Sequence, residues 1–354
     1  MRHRRHRGLP RRVPPRAHQG LRRRRPGRSL VIIARSPLRV SFFGGGSDLP
    51  AYFSEQPGCV VSTTIDLAVE TVIRPRARGG IRVATDGVQT VDTPAAIEHD
   101  FVREALLHDT PAVPVDVSIH SDVRSSGTGL GTSGAVVTSL VAGLAALRGV
   151  DLEPSALAAT ASEIEMIRCA RPVGLQDQTA SAHGGLRRYD FDTDGSTIAT
   201  SIDMPAKARH ELESSLVLVD TLIGRDAGKQ LGRQARTMSQ PGGTRDRVTR
   251  MVELARVMGD ELATGRTDSF GPALHEAWML KAEVLGTTAS PVIDLYEHGR
   301  TLGATGGKLL GAGGGGHMLF VVPPSERAAF VRALGPERVV PFAFSETGTR
   351  VRLA

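Results

Sequence analysis

The run GTGLGTSG at residues 127–134 is the first place where residue types and spacing could do chemistry. Gly127, Gly129 and Gly131 let backbone N–H groups around Leu130 turn toward an anion. The apolar segment 135–147 reads as a helix whose N-terminal dipole favours the same negative charge. Thr132 and Ser133 place hydroxyls at that helix start, where they can cap the helix, bond a phosphate or ligate a divalent cation. The plain alternative is an ordinary helix cap after a flexible loop. A second loop, GAGGGG at 311–316, precedes the apolar stretch HMLFVV. Four consecutive glycines, among them Gly314, are costly in entropy. They suit a backbone that approaches a ligand or another segment closely, or a tight entry turn.

Carboxylates supply the second set. Asp177 lies in GLQDQ (174–178), read as a polar turn after Pro172. Glu165 stands twelve residues earlier, on a helix expected over 154–169. That spacing does not put the two acids on one helical face, but with a turn between them both could converge on a metal and a phosphate. Asp48 follows Gly44, Gly45, Gly46 and Ser47, and Arg39 sits on the strand before it. A glycine turn keeps the backbone close, and an aspartate accepts two hydrogen bonds, so this group suits sugar hydroxyls. Singly, each acid is most often a cap or a surface charge; their value lies in combination. Arg225 and Lys229, after an expected strand at 216–222, could bind a second phosphate or form a solvated basic loop.

Two familiar nucleotide motifs fail. GxxxxGK[ST] would need glycine where Leu302 stands and Ser or Thr where Leu309 stands. GxGxxG is matched by Gly129, Gly131 and Gly134, with Asp151 and Glu153 about twenty residues on. However, a long loop separates these glycines from the strand ending near Val123, and no strand precedes the acids. The match at Gly311, Gly313 and Gly316 runs into a strand instead of a helix.

The elements that must position these groups alternate irregularly. Strand-like runs occur in SLVIIARSPLRVSFFGG, bent at Pro37, and in CVVSTTIDLAVETVIRP, GIRVATDG and VPVDVSIHSDV. Helical patterns occur at 97–107, 135–147 and 154–169. A strand is expected at 186–191, a buried strand in SSLVLVDTL, helices through 230–299, a last helix at 325–334, and two short strands closing the chain. Strands and helices in irregular order indicate an α+β fold. With 354 residues the chain can form one large domain or two closely packed ones.

The net charge of +7 suggests a polyanion binder. Residues 1–28 hold twelve arginines and no acid, which leaves 32 basic against 37 acidic residues in the remainder. The basicity therefore belongs to a Pro-broken tail expected to be disordered. A nucleic-acid arm is the alternative to a solvated extension, and no nucleic-acid partner is expected. Cys59 and Cys169 form no metal-ligand spacing. The segment 135–147 is too short to span a membrane and the run 30–34 too short for a signal peptide, so a cytoplasmic location is expected.

Three segments, in order, resemble motifs 1, 2 and 3 of the GHMP kinases: RSPLRVSFFGGGSDLP (35–50), SDVRSSGTGLGTSG (121–134) and GGKLLGAGGGG (306–316). FFGGGSDLP and GLQDQ resemble the sugar-kinase branch that includes the heptose 7-phosphate kinases. The resemblance implies a two-lobed GHMP kinase fold, with an N-terminal ribosomal-protein-S5-like domain (29–200) and a C-terminal ferredoxin-like domain (201–354). It implies ATP and Mg2+, with Gly127, Gly129, Leu130, Gly131, Thr132 and Ser133 at the ATP phosphates, and Ser133 and Glu165 on the metal. Asp177 would be the catalytic aspartate, with Arg39 stabilising it or the transferring phosphoryl. Gly44, Gly45, Gly46, Ser47, Asp48, Arg225 and Gly314 would line the acceptor. The implied reaction moves the γ-phosphoryl of ATP to the anomeric hydroxyl of a heptose 7-phosphate. A fucose or galactose kinase and a non-catalytic sugar or ATP sensor stay open, as does a homodimer. The sequence departs from the family pattern at Arg124 (usually Pro), at Thr132 and Gly134 (usually GSS or GSA with Gly131), at Leu175 (often Lys) and at His317 (usually apolar or aromatic).

Overall fold

The computed structural model describes residues 30–123, 127–223, 232, 243–286 and 290–354; the arginine tail lies outside them. Two sheets organise the chain. The first has nine strands: β1 (Ile32–Phe43), β2 (Gly58–Pro75), β3 (Ile81–Ala84), β4 (Val88–Val91), β5 (Val115–Ser121), β6 (Leu186–Phe191), β7 (Thr197–Ser201), β12 (Phe344–Ser345) and β13 (Arg350–Leu353). Its main order is β13-β1-β2-β5-β3-β4, with β6 and β12 on β2 and β7 on β6. The second sheet is antiparallel, in the order β11 (Val339–Val340), β8 (Leu216–Asp220), β10 (His317–Val321), β9 (Gly306–Leu309). The last two strands, which the sequence reading groups with residues 201–354, pair with the first sheet.

Helices fill the faces: α1 (Pro50–Phe53), α2 (Asp100–His108), α3 (Thr132–Leu147), α4 (Pro154–Ser162), α5 (Gln176–His183), α6 (Ala206–Ser215), α7 (Thr244–Ala263), α8 (Phe270–Leu285), α9 (Pro291–Thr301) and α10 (Arg327–Leu334). α3 is apolar nearly all round and is accordingly buried, packed on β1 and β2. The first third of β1 buries alternate residues, whereas from Ser36 onward every residue is buried. That half is covered on both faces, and there α7 and α8 bring the second half of the chain onto β1. Phe42 and Phe43 meet Phe270 edge-on at 5.1 and 5.3 Å.

Three local features differ from the sequence reading. The helix expected over 154–169 is α-helical only to Ser162 and continues as a π-helical turn, Glu163–Arg168. The polar turn expected around Asp177 is the first turn of α5. The region near 195–210, where the sequence marks the boundary between the halves least clearly, contains β7 and the start of α6.

Candidate active site

β1 carries Arg39 into the space between the 127–131 loop and α5. Its side chain is 5% exposed and makes three bonds. Nε and Nη2 donate to Asp177 Oδ1 at 2.8 and 2.7 Å, and Nη1 donates to the Gly129 carbonyl at 2.6 Å. The Arg39 backbone N–H also donates to Leu130 O at 2.9 Å. One arginine thus binds an acid and a glycine-loop carbonyl lying 138 and 90 residues away. Asp177 Oδ2 takes no hydrogen bond among the described residues, and the side chain is 26% exposed. Gly134 explains the approach of α5: a Cβ there would come within 2.6 Å of Asp177 Cβ.

Gly127, Gly129 and Gly131 all have φ between +74° and +78°, the left-handed backbone that turns successive N–H groups to one side. Gly131 is the N-cap of α3, whose first turn has no side-chain cap. The hydroxyls in this segment divide. Thr132 bonds Thr128 at 2.9 Å and is buried, so it is turned back into the loop. The Ser133 hydroxyl lies beside the Glu165 carboxylate and favours its charged form. The Leu130 side chain is wholly buried, so only its backbone can serve a ligand.

The π-helical turn brings Glu165 to Ser133, and Gln178 Nε2 donates to Glu165 Oε2 at 2.6 Å. Burial pushes the Glu165 carboxyl up to about 7; the neighbouring Ser133 hydroxyl opposes this and the Asp177 charge adds to it. Gln178 Oε1 is buried without a partner. No group of three or more His, Cys, Asp or Glu side chains among the described residues could hold a metal ion by itself. A hydroxyl, a desolvated carboxylate and an unpartnered amide oxygen fit a hard divalent cation that takes its other ligands from phosphate and water.

The 44–48 segment is anchored to the GLQDQ segment. Asp48 Oδ1 accepts from Gly46 N at 3.0 Å, Oδ2 accepts from Gln176 N at 3.4 Å, and Asp48 O accepts from Leu175 N at 3.2 Å. A Cβ on Gly174 would lie 2.0 Å from Asp48 Oδ2. Burial and the Asp177 charge raise the Asp48 pKa. Ser47 departs from its expected role. Its hydroxyl donates to Gly44 O at 2.8 Å, lies 3.1 Å from Cys59 O, accepts from Cys59 N, and is fully buried, so it secures the turn and faces no acceptor. Gly314 is exposed at the tip of the 311–316 loop, and Arg225 and Lys229 lie outside the described residues.

Sequence reasoning missed Lys308, Gln176 and Gln178. Lys308 is 2% exposed on β9, and its Nζ donates to Ser41 O and Phe42 O. The available signal was a lone lysine in an otherwise apolar GGKLL strand. Gln176 Oε1 accepts from Ser41 Oγ at 3.3 Å, while its Nε2 is buried without a partner. No helix among the described residues is long and apolar enough to cross a membrane.

The chain is similar to known proteins in both sequence and fold. Residues 96–185 match the GHMP kinases N-terminal domain and residues 258–339 the GHMP kinases C-terminal domain. D-glycero-alpha-D-manno-heptose 7-phosphate kinase of Campylobacter jejuni is 26% identical over 339 residues, covering 90% of this chain and 98% of that protein. The bifunctional fucokinase/GDP-fucose pyrophosphorylase of Arabidopsis thaliana is 26% identical over 84% of this chain and 30% of its own length. A crystal structure of a D-glycero-D-manno-heptose 1-phosphate kinase from Bacteriodes thetaiotaomicron shares the fold, with a TM-score of 0.75 at 24% identity over 91% of this chain and 98% of that one. An N-terminal match followed by a C-terminal one, on a fold common to these enzymes, establishes that the chain belongs to the GHMP kinases, a family of phosphotransferases.

Proposed function

We propose that this kinase transfers the γ-phosphoryl of ATP to the anomeric O1 of a heptose 7-phosphate, giving a heptose 1,7-bisphosphate and ADP. The observation that carries the reading is Arg39, which binds the Asp177 carboxylate and the phosphate-loop carbonyl of Gly129 at once. Arg39 orients Asp177 with Oδ2 left to accept the proton of the acceptor hydroxyl. The acceptor oxygen forms its bond to the γ-phosphorus as the bond to the β-phosphate oxygen breaks. Arg39 lies where charge on the transferring group can be offset. The 127–133 loop and the open first turn of α3 hold the ATP phosphates. Ser133 and Glu165 would hold Mg2+, which neutralises phosphate charge when bound. The 44–46 turn and Asp48 would hold the sugar. Residues 29–200 would form the nucleotide lobe and 201–354 the second lobe, apart from the two strands returning to the first sheet. The likeness to the Campylobacter heptose kinase along nearly its whole length supports the acceptor class.

The test is turnover with ATP, Mg2+ and a panel of heptose 7-phosphate, fucose, galactose and mevalonate, with products identified by phosphorus NMR. Heptose 7-phosphate should react fastest, and Asp177→Asn should lower kcat by about 10²–10⁴-fold, the range of general-base catalysis. ATP binding without turnover of any acceptor would instead make the chain a sensor. A fully active Asp177→Asn would refute the assignment of the base.

A further inference from the structure

The hairpin of β9, the 311–316 loop and β10 grips both halves of this site. At one end, β1 slips register against β2 between Ser41 and Phe43. Such an irregularity interrupts the ladder and re-aims backbone groups. The Ser41 and Phe42 carbonyls at this slip accept from Lys308 Nζ at 3.1 and 2.8 Å. The chain then enters the 44–46 turn. A Cβ on Gly45 would stand 3.9 Å from Lys308 Nζ and 3.8 Å from Ser41 Oγ, so the lysine lies directly behind that turn.

At the other end, His317 N and Nδ1 both reach the Thr128 carbonyl, at 3.0 and 2.8 Å. The neighbouring Gly316 is so close that a Cβ would come within 2.5 Å of Gly127 O and 2.6 Å of Thr128 O. Between the two grips the hairpin is braced. Lys281 Nζ donates to Leu309 O and Gly311 O at 2.9 and 2.5 Å, and Leu310 N donates to His317 O at 2.9 Å. Thr221 N and Oγ1 donate to Gly316 O at 2.9 and 2.7 Å.

We propose that Lys308 and His317 are positioning residues on one rigid hairpin, which sets the spacing between the acceptor turn at 44–48 and the phosphate loop at 127–133. The inference rests on reading those loops as the acceptor and ATP sides of a sugar kinase. Neither side chain is placed on the reacting atoms; each acts through the backbone it holds. The requirement is strict, because in-line transfer loses about 10²-fold in rate when a group is misplaced by about 1 Å.

The experiment reads each substitution on the opposite side of the site. Lys308→Met should accelerate amide exchange in residues 127–133 and weaken binding of a fluorescent ATP analogue with Mg2+ by about fivefold or more, the lower end of coupling between sites. His317→Leu should accelerate exchange in residues 44–48 and raise the acceptor KM by a similar factor. Lys308→Arg and His317→Asn, which keep N–H donors, should recover most of each loss. The double variant Lys308→Met/His317→Leu should cost less in kcat/KM than the product of the single losses. Effects confined to each residue's own side, or a multiplicative double variant, would overturn the proposal. Should Lys308→Met fail to fold, Lys308→Gln and His317→Leu carry the same readouts. Exchange and nucleotide binding need no acceptor. A chain that phosphorylates no sugar therefore refutes the function above, while the hairpin is still judged.

Discussion

Replacing Lys308 by methionine should change how stability depends on pH, and the size follows from the structure. The Lys308 amine is 2% exposed and meets two carbonyl oxygens, with no further acceptor among the described residues. Two acceptors match the two N–H bonds of a neutral amine and leave the third proton of an ammonium unsatisfied. Burial, reinforced by the Arg39 charge and opposed by Asp48, pushes the Lys308 pKa down to about 7 from 10.5. Between those values the unfolded chain binds a proton that the folded chain has released, so stability rises with pH. From pH 7 to pH 9 the parent should gain about 2 kcal/mol relative to Lys308→Met, and below pH 7 the difference should level off. The two unmade carbonyl bonds in the variant add a cost of about 1–3 kcal/mol each, but that offset does not vary with pH. Urea unfolding of both proteins at pH 6, 7, 8 and 9 measures the slope, and groups common to both cancel in the difference. A difference constant to within about 0.5 kcal/mol from pH 7 to 9 would show that the folded lysine keeps its proton and that desolvation does not dominate its site.

Arg39→Lys cannot reproduce three bonds from one planar group; initial rates should show kcat lower by about 10²-fold with little change in the KM for ATP, and an unchanged kcat would remove Arg39 from the transfer step. Ser47→Ala should lower stability by about 1–3 kcal/mol while leaving the acceptor KM within about twofold, because its hydroxyl is bonded within the fold; a tenfold rise in KM would place it on the substrate instead. Glu165, held near 7 against an ordinary 4.5, lowers stability as pH rises through that interval, and the loss is complete above pH 7. In metal-free buffer Glu165→Gln should therefore be more stable than the parent at pH 8 by up to about 3 kcal/mol but similar near pH 4; equal stability at both would count against a desolvated carboxyl.

The strands that frame the site were legible because they are long and β-branched. IIARSPLRVSFF and GCVVSTTIDLAVETVIRP form β1 and β2 over nearly the whole of each run. The return of the C-terminus was not legible. All four residues of β13 are exposed, so no buried face marks the segment, and its pairing of Ile32 with Leu353 depends on a free edge of β1 that only the assembled sheet offers. The π-helical turn was equally hidden. EIEMIR has ordinary helix formers, and the wider turn shows only in the position of Glu165 against Ser133 and Gln178.

For the site, the division is between atoms able to do chemistry and atoms left available for it. Glycines, hydroxyls and carboxylates in unusual runs mark the first kind, which is why Arg39, Ser133, Glu165 and Asp177 stand out in the amino-acid sequence alone. Availability is settled by partners with no sequence signature. The carbonyls that hold Lys308 lie 267 and 266 residues away, and every residue offers such an acceptor. Ser47 and Ser133 are the same residue type beside the same kind of glycine turn. Ser47 bonds the Cys59 backbone, whereas Ser133 lies beside the Glu165 carboxylate, so one is spent on the fold and the other stands at the proposed metal site. Thr128 and Thr132 bond each other, which leaves Ser133 as the hydroxyl of that loop able to share a cation with the neighbouring Glu165 carboxylate. Of the three hydroxyls, the loop thus presents to a nucleotide only the one that its own fold has left coupled to a titratable acid.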